Sequence, residues 1–320
     1  MKIGRFIVKR LFSTIGTLFI LSLFIFLLIH LTPGDPARIL LGADASDESV
    51  EMVREELGLN KPIIQQYVSW IGNVIHGDLG KSYTRNGSVT KAISASLAPT
   101  MSLSLWALIL SVLLAIPLGV VAASKKGKAG DSGIIGFSLI GISIPSFLMS
   151  LILVMIFSVT LKWFPVAGYK PIKEYGLATH LRYIVLPVIS LSLMQAAVLT
   201  RMTRSSMIDV INNDYIKTAK AKGLTARVVL YKHALKNAMI PILTTIGQTF
   251  ATLLSGAAVM ETVFGIPGIG QLIVSSVTKR DYPVIQGIVL VISLIYIVIN
   301  LVIDLLYGII DPRMRDVSKR

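Results

Sequence analysis

Residues 214–223 read DYIKTAKAKG, between the apolar runs 183–200 and 238–260. The stretch is polar, carries three lysines, places Ala219 and Ala221 among them, and stops at Gly223. A helix rises about 1.5 Å per residue, so roughly 20 apolar residues cross a hydrocarbon core. By that measure the flanking runs are membrane spans and the segment between them lies outside the bilayer. The same criterion picks out 11–31, 99–123, 133–159 and 284–308. The sequence therefore predicts an all-α polytopic membrane protein, residues 1–320 as one domain with six spans.

Composition points the same way. The chain is 53% hydrophobic with a mean hydropathy of +0.73 and only 15% charged residues, where soluble domains carry about a quarter. A net charge of +14 suits nucleic acid or an anionic membrane surface. The basic residues cluster at the ends of apolar runs, which favours membrane lipids and excludes nucleic acid as a partner. With no cysteine, disulfides, thiolate metal sites and cysteine nucleophiles are excluded. His30, His76, His180 and His233 show no ligand-like spacing, so no metal site is expected.

The first apolar run follows Lys2, Arg5, Lys9 and Arg10, as a signal peptide would. It outlasts a signal core of about 15 residues and meets Thr-Pro-Gly-Asp-Pro rather than a small-residue cleavage site, so it reads as a retained first span. Lysine and arginine mark the cytoplasmic loops. Those four residues, Lys125, Lys126 and Lys128, the basic loop 201–237, and Arg313, Arg315, Lys319 and Arg320 fall on one side. Both termini and the 201–237 loop are thus expected in the cytoplasm, and residues 32–98 form an extracytoplasmic cap. Within the cap, Val50, Val53 and Leu57, then Ile64, Tyr67, Val68, Ile71 and Ile75, repeat at helical spacing and predict two helices.

In 214–223, Asp214 or Asn213 can cap a helix and Gly223 can close it. Tyr215, Thr218, Ala219 and Lys222 fall on one side by spacing, offering small residues for close approach beside an aromatic anchor. A helix this short is marginal alone in water, so it calls for a partner surface or, more simply, for anionic headgroups under a basic loop.

A set of stretches in order gives the chain a family resemblance: PGDPA at 33–37, GDLGKS at 77–82, RMTRSSM at 201–207, DYIKTAKAKGL at 214–224, HALKNAMIP at 233–241, FGIPGIG at 264–270, RDYPVIQG at 280–287 and DLLYGIIDPR at 304–313. They resemble the membrane subunits of binding-protein-dependent ABC importers, in the dipeptide, oligopeptide and nickel permease branch. Residues 214–223 are similar to that family's cytoplasmic EAA loop, although Lys217 stands where the general motif has glutamate and Thr218 where it has alanine. The resemblance implies a type I importer transmembrane fold in a prokaryotic inner or plasma membrane. It implies a homologous second permease subunit, two cytoplasmic ATP-binding subunits carrying ATP and magnesium, and an extracytoplasmic substrate-binding protein. It implies peptide cargo, with glutathione, nickel or a metal chelate as alternatives, and no cofactor or catalysis in this chain. Asp214, Tyr215, Thr218, Ala219, Ala221 and Gly223 would then form the coupling helix seated in an ATPase.

Thr245, Gln248, Thr249, Thr252 and Ser255 share a face of the fifth span, either as small-residue helix packing or as a wetted translocation path. Gln248 favours the path, being costly to face lipid. Ser146, near Ser138 and Ser150, invites the same two readings. Glu261, Phe264 and Pro267 mark a candidate outer gate, and Asp304 a structural tie, to Arg313 or to a partner's cation. Gly72 and Gly77 are spaced like the ends of a phosphate-binding loop, but Asp78 replaces its lysine, and FGIPGIG lacks dinucleotide spacing. A stand-alone secondary transporter would carry an internal repeat and midplane titratable groups, and neither is visible.

Overall fold

The computed structural model describes residues 2–31, 35–42, 44–85 and 87–310, and the side chains of all of these except 2–13, 28–29 and 308–310. Expectations for the two ends of the chain, for Pro33 and Gly34, and for Arg313 fall outside the described residues. Among the described residues, regular secondary structure is helical, apart from one isolated bridge between Lys81 and Ser88. The chain divides into two units, described parts of Met1–Ala98 with Gln271–Val298, and of Pro99–Gly270 with Ile299–Arg320.

The first unit begins with α1 (Lys2–Leu31), which contains the first expected span. Three short helices follow: α2 (Pro36–Leu41), α3 (Asp47–Glu56) and α4 (Ile63–Ile75). The last two are those read from periodicity. The first of the three went unread, because six residues are too few for a repeat. Asp35 starts it by accepting from the Ala37 N–H at 3.1 Å, and also receives the Arg54 guanidinium at 2.8 Å. Ser46 caps α3, ahead of Asp47 and Glu48 in its first turn, where acids complement the helix dipole.

A clasp joins the two sequence parts of this unit. Asp281, fully buried, accepts from the Tyr83 N–H at 3.0 Å, from Thr84 Oγ1 at 2.8 Å and from the Ser82 hydroxyl. Burial, followed by the Asp281 carboxylate, pushes the Tyr83 phenol up to about 12.

The second unit contains most of α5 (Val89–Ser124), with α6 (Ala129–Ser143), α7 (Ser146–Leu153), α8 (Ile172–Ile211), α9 (Asp214–Ala221), α10 (Ala226–Val228) and α11 (Leu235–Phe264). The helix α12 (Ile269–Thr278) begins there, and α13 (Tyr282–Ile310) ends there. π-Helical turns occupy Val154–Thr160 and Val229–Ala234. Among the described residues, Val89–Ser124, Ile172–Ile211, Ala226–Phe264 and Tyr282–Tyr307 are long and apolar enough to cross a membrane. The core of the unit is apolar: Leu103 and Ala107 of α5 meet Ile184, Leu186 and Leu191 of α8, and Leu253, Ala257, Met260 and Phe264 of α11.

The expected third span, 133–159, is not one rod. It bends by 94° between α6 and α7. Pro145 disfavours helical geometry at the residue before it, and Ile144 sits in extended conformation at φ −89° and ψ 117°. The fourth expected span continues to Ile211, beyond its bounding Arg201. At the start of α6, Asp131 is buried and accepts from Arg204 of α8 at 2.6 and 2.7 Å and from the Gly127 N–H at 2.9 Å. That pair ties the basic 125–128 turn to the extension of α8.

Candidate functional site

The polar segment 214–223 is helical from Asp214 to Ala221. Gly223 follows it at φ 79°, a left-handed conformation that favours glycine. Its start differs from expectation. Asn213 occupies the cap position without a side-chain cap hydrogen bond, while Asp214 pairs with Lys217 at 2.7 Å on the open surface. Asp214 therefore acts through its charge in the first turn, and an exposed pair of this kind adds little.

The faces also divide differently from the spacing argument. Ala219 is only 8% exposed. With Ile216 it packs into a cluster of Val120 and Ala123 of α5, Met207 of α8, and Ala238 and Ile242 of α11. It belongs to the seat of the helix and is withdrawn from the expected docking face. Tyr215, Thr218, Ala221 and Lys222 remain exposed. The Tyr215 hydroxyl accepts from Asn237 Nδ2 at 2.7 Å, so the aromatic ring is held rather than free. Ile216 was missed by sequence reading, although its spacing of three from Ala219 was the available signal.

The expected stripe on the fifth span splits in two. Thr245 and Thr249 are buried within the chain, while Gln248, Thr252 and Ser255 are exposed. Thr244 extends the exposed line along α11 four residues before Gln248, and Thr262 resumes it seven residues after Ser255, past the exposed Val259. The hydroxyls of Thr252, Ser255 and Thr262 donate to carbonyls four residues earlier, at 3.0, 3.2 and 2.9 Å. Their outward lone pairs accept, and the Gln248 amide both donates and accepts. The line is polar and uncharged. Ser146 is half-buried at the start of α7, and Ser138 and Ser150 are buried with their hydroxyls on their own helices' carbonyls.

The expected outer gate is mostly a buried clasp. Glu261 and Phe264 are buried, and Pro267 alone of the three is exposed. Gly265 ends α11 at φ 59°. The chain then turns back, with the Ile266 N–H donating to the Glu261 carbonyl at 2.8 Å. Thr100 donates to the Glu261 carboxylate and accepts from the Ile269 N–H at 2.8 Å. Gly268 lies against the same carboxylate: a Cβ there would fall 2.1 Å from it. No group of histidine, cysteine or acidic residues able to hold a metal occurs among the described residues.

Comparison with known proteins gives a consistent picture. Residues 115–316 match the family described as binding-protein-dependent transport system inner membrane component. Residues 3–104 match its N-terminal membrane-component counterpart. A probable peptide ABC transporter permease protein of Sinorhizobium fredii is 44% identical, over 98% of this chain and 99% of its own. A putative peptide transport system permease protein of Brucella abortus is 42% identical over 97% and 98%. A glutathione transport system permease protein of Escherichia coli is 40% identical over 97% and 99%. In fold, the chain is similar to an inward-facing methionine ABC transporter, with a TM-score of 0.56 at 15% identity, over 68% of this chain and 96% of that one.

Proposed function

The chain belongs to the family of binding-protein-dependent transport system inner membrane components, and from that premise we propose that it is a peptide-importing permease subunit. In this reading it forms half of a translocation pathway with a homologous subunit and hydrolyses nothing itself. Two ATP-binding subunits drive it from the cytoplasm, and an extracytoplasmic binding protein delivers cargo. Both termini and α9 lie in the cytoplasm, with residues 32–98 outside and α1 as the first of six spans, in a prokaryotic inner or plasma membrane.

One observation carries the reading. The helix α9 is anchored on its own chain by Ile216 and Ala219, and presents Tyr215, Thr218, Ala221 and Lys222 outward. A helix of 8 residues is too short to persist by itself in water. Seated this way, it is a preformed knob for a cleft on another protein. The exposed line Thr244, Gln248, Thr252, Ser255 and Thr262 supports the path: it offers hydrogen bonds to a peptide backbone without a charge that would trap it. Relatives named for peptides favour peptide cargo, and a relative named for glutathione makes that modified tripeptide the second reading.

The test is reconstitution of the chain with its partner permease, ATPases and binding protein in sealed vesicles. Labelled di- and oligopeptides should enter only when binding protein and ATP are both supplied. Uptake by the chain alone, driven by an ion gradient, would overturn the proposal.

A further inference from the structure

Two neighbouring helices of the first unit differ sharply in chemistry. α3 reads DESVEMVREE, a strongly acidic sequence, whereas α4 reads IIQQYVSWIGNVI and carries no charged residue. α4 also has no buried residue. Its Ile64, Val68 and Ile75 are 74%, 60% and 77% exposed and repeat along one face.

The other face of α4 is spent on α1. Tyr67 Oη and Ser22 Oγ share a hydrogen bond of 2.8 Å, and Tyr67 and Trp70 pack on Phe26 at ring distances of 5.4 and 5.7 Å. Further out, Gln66 meets His30 at 3.1 Å. Ser22 and Phe26 lie inside the apolar run of α1, about 13 and 7 Å from its end at Leu31 by helical rise. At that contact Phe19, 55% exposed, stands edge-on to Tyr67, and on its far side α1 exposes Phe24, Leu27 and Leu31. The unpartnered apolar face of α4 thus lies beside a helix that is apolar all round. Trp70 beside Phe26 and Tyr67 reaching to Ser22 give α4 an edge of rings with polar tips.

We propose that α4 is an interfacial helix, with Ile64, Val68 and Ile75 resting in the outer leaflet beside α1. The proposal rests on the reading of α1 as a span. Lipid fits this face better than the binding protein does. A surface that meets a soluble partner only transiently has ordinary surface polarity, and an apolar one would stand in water between encounters. A charge-free helix with an aromatic edge is stable at all times at the acyl boundary.

The absence of native cysteine makes the test direct. The assembled transporter, carrying Val68→Cys, Met52→Cys on α3 or Leu27→Cys on α1, is labelled with an environment-sensitive dye. It is placed in nanodiscs of phosphatidylethanolamine and phosphatidylglycerol containing lipids with a nitroxide near the headgroup or near the chain end. The Val68 probe should be quenched about threefold more than the Met52 probe, most strongly by the shallow nitroxide. Unlabelled Val68→Cys should react about tenfold more slowly than Met52→Cys with an impermeant thiol reagent. Quenching at Leu27 with none at Val68 overturns the proposal and leaves the span intact; no quenching at either overturns both. Fast labelling of Val68→Cys that only added binding protein suppresses would make the face a protein dock instead, and also overturns it.

Discussion

Thr218 and Ala219 are adjacent in sequence and face opposite surroundings, and substitution should separate them. Ala219→Arg forces a long charged side chain into the cluster of Val120, Met207 and Ala238. Overpacking of that kind costs about 1–3 kcal/mol before the charge is counted. We expect lower membrane levels and a lower melting temperature in detergent. Thr218→Arg on the exposed face should leave both unchanged and reduce co-purification of the ATPases; equal effects of the two would make the segment a diffuse basic patch. Gly268 is constrained by contact instead. Because a Cβ there would collide with the Glu261 carboxylate, Gly268→Ala should cost about 1–3 kcal/mol, read as a fall in thermal stability. Gly256→Ala, where nothing lies within 4 Å, should be silent. At this scale the sequence showed the residue types but not their neighbours. Periodicity placed Ala219 and Tyr215 on one side, and only the packing of Ile216 revealed which of the two turns inward.

Among elements, the long apolar helices were legible, since run length alone reports them, while their ends and bends were not. The helix α5 starts at Val89, ten residues before the expected 99, and α8 runs on through Arg201, because a helix does not stop where the bilayer does. Prolines did not reveal the bend by themselves: Pro117, Pro187 and Pro241 lie inside helices that continue, and only Pro145 stands at a 94° break. The π-helical turns had no sequence signal. The pair of Asp131 and Arg204 joins α6 to α8 across 73 residues of sequence. Arg204→Ala should leave a buried carboxylate without its guanidinium and lower the melting temperature by several degrees. Restoration by the double variant with Asp131→Asn would show that the stranded charge, not lost packing, is the cause.

For the whole molecule, the exposed line on α11 predicts a transport phenotype without an assembly defect. Gln248→Leu keeps the side-chain volume and removes both hydrogen-bonding ends, so the complex should purify intact while uptake of peptides changes by about threefold to tenfold, the worth of one hydrogen bond. Unchanged uptake across several peptides would assign the line to helix packing. Gln248, Thr252 and Ser255 were legible from helical spacing; that Thr245 and Thr249 turn inward was decided by Leu253, Ala257 and Met260, which carry that face into the core. The Asp281 clasp bears on the timing of synthesis. Ser82, Tyr83 and Thr84 are translated some 197–199 residues before the carboxylate that binds them. At about 5–20 residues per second, they wait on the order of 10–40 s for it on the ribosome. Throughout that delay the N-terminal half of the clasp stays unfinished, so a nascent chain arrested before residue 281 should be open to proteolysis just after residue 80, and the completed chain closed.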